Sequence, residues 1–594
     1  MISRDRRLAL ARFWGWRLAH YAFLLLVNGH VLASGTKSGD FDWPDIFGPW
    51  ADALRFSILK YHQFPWWNPW SMSGQPLFAD PQIAVLMPDT LFILAFGAVV
   101  GFKLLILFYV FVGYEGSRYL CRQLFGASTF VTGASVIPVL VAPLSMHFGV
   151  GHVVFFPFYL FPWLLALSLT WHQSARRALA LGAVVGCYLL NYIHYSIIIA
   201  LTIAGAIVLV RVIRSFRSRD TWSKAALVVC TALAMGLTRI ALTGAIVSQF
   251  PRVDEIQYPI AVSTAEILRT LVDRLQDRTF SVPGLSLFSW ETSSYVGLLV
   301  LLLAYEGFRR GDRKLRALHV GALICLALAW NNRDKYLPGY WMHFIAPWKY
   351  MIVITRWRLF ACFLFLVGAV QGLVAIRRNV GLVTATCLAL LVVADLGSNV
   401  DHGYEKSFEN HAPPFDMGPD PPKAILDNQS ETWAHVRMNL VSMGAQSTLL
   451  GWGYHPPKRD HIGMPNYRGE FVGTKPVQVE SWTPNRITLT ASPGDTLTLN
   501  INPSNYWVMN GERLFPSYRP FEIEKPFQLV VPPSGRIELV ARPPHWRLLA
   551  LIQSLFAVAT ILLFQMLRKK EAKKERSTSP PSGHRSHCFS HHPA

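Results

Sequence analysis

The sequence predicts a mainly α-helical membrane protein of about twelve transmembrane helices, with a β-rich domain outside the membrane placed before the last helix. Three observations lead there. The chain of 594 residues is 52% hydrophobic and only 15% charged, with a mean hydropathy of +0.29, which is too apolar for a soluble protein of this size. Apolar runs of about 17 to 25 residues, the length needed to cross a hydrocarbon core, recur along it. The Lys and Arg residues gather in every second loop between those runs.

The runs lie near 16–34, 97–117, 127–146, 153–171, 178–193, 195–213, 225–247, 293–308, 317–332, 358–376, 380–398 and 548–567. A net charge of +20 would suit nucleic acid, but its distribution argues for membrane topology instead. The clusters are Arg4 to Arg12, Arg118/Arg122, Arg176/Arg177, Arg211 to Lys224, Arg309 to Arg316, Arg377/Arg378 and Arg568 to Arg576. An even number of runs separates any two of them. The positive-inside rule then puts all of them, and both termini, on the cytoplasmic side of the cell (inner) membrane. The N-terminal run has no small-residue cleavage site after it and reads as a retained span.

The expected organisation is a helical bundle over 1–400 with a large first outside loop at 35–96, a β-rich outside domain over 401–547, a last span at 548–567 and a disordered basic tail over 568–594. Strand-like alternation in the β-rich stretch runs over Arg486 to Thr490, Thr496 to Ile501, Phe527 to Val531 and Arg536 to Val540. Asn510-Gly511 is a hairpin signal, because both central positions of a type I′ turn need positive φ. None of the seven cysteines falls in an outside loop, so there is no disulfide framework and no CxxC metal signature. The His-rich tail at His584, His587, Cys588, His591 and His592 reads as adventitious.

The first outside loop concentrates carboxylates, prolines and tryptophans. Trp43, Trp50, Trp66, Trp67 and Trp70 are expected to anchor it at the membrane interface. A loop of this length without its own core is uncommon unless it has a function.

Four patterns follow one another along the chain: the block FPWWNPWSMSGQPLFADPQ, the stretch Gly149 to Pro162 (GVGHVVFFPFYLFP), Glu291/Tyr295/Gly297, and Arg356-Trp-Arg358. They end in the β-domain sequence SWTPNRITLTA…NYWVMNGERL…VVPPSGRIELVARPP. In that order they resemble the YfhO-type bacterial membrane proteins of the C-type (GT-C) glycosyltransferase superfamily. The resemblance implies a GT-C-like bundle and an enzyme that takes a sugar from a polyprenyl-phosphate donor and passes it to a cell-envelope glycan or lipid outside the membrane. It places a catalytic carboxylate in the first loop. Asp42 matches best, with Asp45 as the other candidate; Trp43-Pro44 straight after Asp42 departs from the commoner pattern and leaves the choice open.

Such a reaction needs a carboxylate to take the acceptor's proton and cations to hold the leaving phosphate. Either aspartate could instead cap the helix predicted from about Asp45 to Lys60. Lys349, Arg356 and Arg358 stand where a lipid-borne phosphate would lie, although snorkelling to headgroups explains basic residues there equally well. Arg239 is mid-span, where a lone charge is costly; it is expected to pair with Glu291, Glu115 or an outside carboxylate, or to line the donor phosphate path. Trp67, Asn68, Gln75, His152 and Glu291 complete the expected substrate-binding set. No metal site is assigned, since His62 and Asp80 with Asp42 match no metal template, and a divalent cation is optional. No nucleotide or nucleic-acid motif is present. The competing functions are a transporter or flippase of lipid-linked sugars, for which no internal repeat is visible, and a non-catalytic envelope-assembly scaffold.

Overall fold

The computed structural model describes residues 4–408 except 36, 40–41, 71–73, 193–194, 250–263, 275–288, 331–334, 337, 343, 346–347, 349–350, 352 and 406, together with 469–515 and 527–578. Among the described residues seven helices are long and apolar enough to cross a membrane, or eight if the bent pair Thr129–Val139 and Pro143–Gly149 is one span. The chain is a multi-pass membrane protein. Three further apolar runs form shorter helices, Ala175–Leu190, Leu298–Arg310 and Arg313–Leu328.

Helix starts follow local chemistry. Ser128, Ser174 and Asp312 each accept a backbone N–H of the first turn that would otherwise go unbonded. Pro88–Phe125 breaks its line at Gly97, where φ is 79°, a conformation glycine adopts without strain. Lipid supplies no hydrophobic push between helices, so close backbone approach decides pairing. Gly307 lies against Gly368 and Gly372, joining Leu298–Arg310 to Trp357–Asn379, and Gly182 and Gly186 lie against Arg219–Gln249.

Side-chain contacts sort the helix ends into two sets. At one end Glu115 takes Arg17 at 2.8 Å and Tyr21 at 2.7 Å, Arg377 donates to Ser128 at 3.1 Å, and the Ala175 N–H reaches Glu571 at 2.7 Å. These are the termini flanked by the basic clusters. At the other end meet the first loop, the turn before Val153, Glu291, the start of Trp357–Asn379 and the end of Leu382–Glu405.

Four of the five tryptophans of the first loop are buried, and Trp66 is half-buried. Trp43, Trp50, Trp67 and Trp70 are 3% exposed or less, so their expected anchoring role is corrected: they pack inside the protein. The reason lies partly in Arg239, itself buried in Arg219–Gln249, which donates to the carbonyls of Phe78, Asp80 and Ile83 and to Thr243 Oγ1. A guanidinium with five donors satisfies the peptide oxygens of an irregular segment folded among helices. Neither Glu115 nor Glu291 is its partner; they bind Arg17 and Arg356.

Two short strands in the first loop, β1 (Trp67–Asn68) and β2 (Gln75–Pro76), pair antiparallel. The C-terminal strands are β3 (Phe471–Val472), β4 (Gln478–Thr483), β5 (Arg486–Thr490), β6 (Thr496–Leu499), β7 (Trp507–Met509), β8 (Glu512–Arg513), β9 (Phe527–Val530) and β10 (Arg536–Ala541). They form one sheet in the order β4-β5-β10-β7-β8 and another in the order β3-β6-β9. Alternate residues Ile487, Leu489, Leu497, Leu499, Phe527, Leu529, Ile537 and Leu539 are buried, which is the core that the alternation encodes. Asn510 at φ 49° and Gly511 at φ 96° make the expected hairpin between β7 and β8.

Asn485 ties this region to the first loop: its Oδ1 accepts the Trp67 N–H at 3.1 Å, its Nδ2 donates to the Phe64 carbonyl at 2.6 Å, and its N–H donates to Gln63 Oε1 at 3.1 Å. The Trp67 ring lies 5.1 Å from that of Trp507. The tryptophan block is thus a seat for the β-rich region.

Candidate active site

The helix Pro143–Gly149 ends in a turn, Gly149 to His152, against which the start of the first loop is laid. The Asp42 N–H donates to the Val150 carbonyl at 3.1 Å, and the Trp43 indole donates to the Phe148 carbonyl at 2.7 Å. Gly151 has φ 90°, and a Cβ there would collide with the Trp43 amide and the Asp42 carbonyl carbon. Any other residue would push the two segments apart. The helical stretch that follows, Trp43–Phe47, Gly48–Arg55 and Phe56–Lys60, places Asp42 at its cap position, yet the Asp42 side chain makes no capping hydrogen bond. Its carboxylate is 31% exposed, and one oxygen lies 3.5 Å from His152 Nε2.

His152 links Asp42 to a buried ionic group. Its Nδ1 is 2.8 Å from His147 Nδ1 and 4.0 Å from Glu291 Oε1. Only one of the two Nδ1 atoms in that contact can carry the hydrogen. If His152 supplied it, its Nε2 lone pair would face a carboxylate; if His147 supplies it, the neutral His152 carries its hydrogen on Nε2 and donates toward Asp42. Electrostatics selects the second arrangement. Burial pushes the His152 imidazole down to about 4, the Arg356 charge adds to that and Glu291 opposes it, so the ring is neutral at ordinary pH.

Glu291, 6% exposed, accepts Arg356 Nε at 2.9 Å on one oxygen and Arg356 Nη2 on the other. Burial by itself would raise its carboxyl, but the Arg356 guanidinium overrides that and holds it well below the usual carboxylate range. Arg358 donates to the carbonyls of Glu291 and Thr355. The Arg356 guanidinium also sits 5.2 Å from the Phe155 ring centroid. The result is a fixed pair beside a half-exposed aspartate.

His147, His152 and Glu291 offer three ligand atoms within 4.8 Å of one another. Two imidazoles and a carboxylate suit a transition metal rather than magnesium or calcium. In this arrangement both Glu291 oxygens accept from Arg356 and the two imidazole Nδ1 atoms share one hydrogen, so a cation held by these three residues would have to replace that hydrogen.

Of the residues expected from sequence, Asp42, His152, Glu291 and Arg356 come together, with Arg358 bonded to the Glu291 backbone. Trp67, Asn68, Gln75 and Arg239 build and hold the first loop; Asn68 pairs with Gln75 across β1 and β2. Lys349 lies outside the described residues, as does the side chain of Asp45. His147 was not foreseen; the only signal is its spacing from His152 across Gly149 and Gly151. Lys103 was also missed: its buried amine donates to Ser34 Oγ at 2.6 Å and the Gly35 carbonyl at 2.7 Å, and lies 4.9 Å from the Phe408 ring, itself 5.7 Å from Trp43.

No family model and no curated protein matches the chain. Among solved structures, the arabinofuranosyltransferase AftD from Mycobacteria, determined by single-particle cryo-EM, is similar at 15% identity with a TM-score of 0.43; the match covers 66% of this chain and 27% of that one.

Proposed function

We propose that the protein is a GT-C type membrane glycosyltransferase, transferring a sugar from a polyprenyl-phosphate donor to a cell-envelope acceptor on the face where the first loop lies. The observation that carries this reading is Asp42: a half-exposed carboxylate at a helix start that is not used as a cap, but is positioned by a neutral histidine and a glycine turn. In the reaction the acceptor hydroxyl gives its proton to Asp42 while its oxygen bonds to the anomeric carbon. The bond from that carbon to the donor phosphate breaks, and its electron pair leaves on the polyprenyl phosphate. Lys349, Arg356 and Arg358 hold the phosphate as it gains charge. His152 is a positioning residue, and Asp45 is the alternative base.

Asp42→Asn should leave the protein folded and inserted while lowering transfer about 100-fold or more, the scale of losing a general base; Asp45→Asn should cost less. The measurement is transfer of labelled sugar from a polyprenyl-phosphate donor by the purified, reconstituted protein. Full activity in both variants at normal abundance would remove the enzyme reading and favour a transporter or scaffold.

A further inference from the structure

A cavity of about 440 Å³ opens where the β-rich region meets the last helix, lined among others by Arg513, Glu538, Arg542, His545, Trp546 and Arg547. Its charge is one-sided. Glu538 is the lining carboxylate, and it already forms an ion pair with Arg486 at 2.5 Å. Arg513 donates to the Asn505 and Arg542 carbonyls rather than to a carboxylate. Among the described residues no carboxylate pairs with Arg542 or Arg547, and the Arg547 guanidinium rests 5.5 Å from the Trp546 ring centroid. His545 holds φ 54°, a left-handed conformation unusual for a residue with a Cβ. That bend joins β10 to the helix Trp546–Thr578, so Arg542 and Arg547 both line one opening.

Position adds to chemistry. The stretch Trp546–Lys573 is apolar enough to cross a membrane, so Trp546 and the cavity stand at the level where headgroups begin. Guanidinium groups bind phosphate oxygens bidentately, and an indole covers the apolar or sugar part beside them. The volume falls within the range of small-molecule sites, roughly 300 to 1,000 Å³.

We propose that this cavity is a binding site for a phosphate ester, separate from the Asp42 site, whose ligand is the phosphate headgroup of a membrane lipid on the first-loop face. It goes beyond the glycosyltransferase reading and does not depend on it.

The test uses the full chain purified in dodecyl maltoside, titrated calorimetrically with dodecyl phosphate, with inorganic phosphate as competitor. Because the Asp42 site has its own cations, the difference between wild type and variant reports this cavity. Arg542→Gln/Arg547→Gln should lose one class of dodecyl phosphate sites, weakened about tenfold or more, and Arg542→Lys/Arg547→Lys should retain it more tightly than the Gln pair. If inorganic phosphate competes at the same concentrations, the phosphate site stands and its source is a free phosphate; if it does not, the lipid source stands. Should the double Gln protein not remain monodisperse, the exposed single change Arg542→Gln is judged by the same criterion. Identical titrations of wild type and Gln variant would overturn the proposal. Loss of transfer in Asp42→Asn, or its retention, leaves this result unchanged.

Discussion

At the scale of single residues, the site depends on which groups are charged. Glu291 remains ionised across the ordinary range because Arg356 is bonded to both of its oxygens, so it contributes no pH dependence there. His152 does. Its folded value of about 4 lies below its ordinary 6.5, so between those values the unfolded chain binds more protons than the folded one. The stability that His152 contributes as a neutral ring is present above about pH 6.5 and is lost as pH falls toward 4. At about 1.4 kcal/mol per unit, the loss reaches at most roughly 3 kcal/mol. The thermal midpoint should therefore fall between pH 7.5 and 4.5 by more in wild type than in His152→Gln, measured in detergent under otherwise equal conditions. Equal falls would show that His152 is not the titrating group. Asp42, His152, Glu291 and Arg356 were legible in the sequence because they stand in or beside the patterns that carry the family resemblance and next to apolar runs; His147 was not, because a histidine within an apolar stretch reads as packing.

At the scale of elements, the turn Gly149 to His152 sets the position of the proposed base. Gly151→Ala puts a Cβ into the Trp43 amide and demands positive φ of a residue that resists it. The expected outcome is loss of the Asp42 N–H to Val150 contact and a fall in transfer of about tenfold or more, whereas Gly205→Ala, with open space around it, should change nothing. Transfer assays on the two variants check this, and unchanged activity in Gly151→Ala would separate the turn from the site. The strands β5, β6, β9 and β10 were visible as alternation within one or two residues. β4 was not: it is an edge strand whose residues are mostly exposed on both faces, so no period of two is written in it. The helical stretch after Asp42 was foreseen; its burial was not, because tryptophans that face protein and tryptophans that face lipid headgroups look alike in a sequence.

At the scale of the whole molecule, the two sets of helix ends give the charge pattern a spatial meaning. In our reading the end bearing Glu115, Arg377 and Glu571 is cytoplasmic and the first-loop end is outside. A cysteine placed at Ser534 should then react with an impermeant thiol reagent in intact cells, and one placed at Ser215 only after permeabilisation. The reverse pattern would move the proposed reaction to the other side of the membrane. By itself the sequence determined that the chain crosses a membrane many times and that a β-rich segment precedes the last helix. Hydropathy, charge and alternation act locally along the chain, where the bilayer and the pleat impose their periods. Only the tertiary structure decided that Arg239 clasps the peptide carbonyls on either side of Asp80, whose carboxylate also acts on it, that the tryptophan block seats the β-rich region, and that Asp42 meets His152, which joins it to His147 and the Glu291–Arg356 pair. Those partners lie far apart in the chain, and what brings them together is glycine contacts and unsatisfied backbone groups, which leave no periodic mark in a sequence.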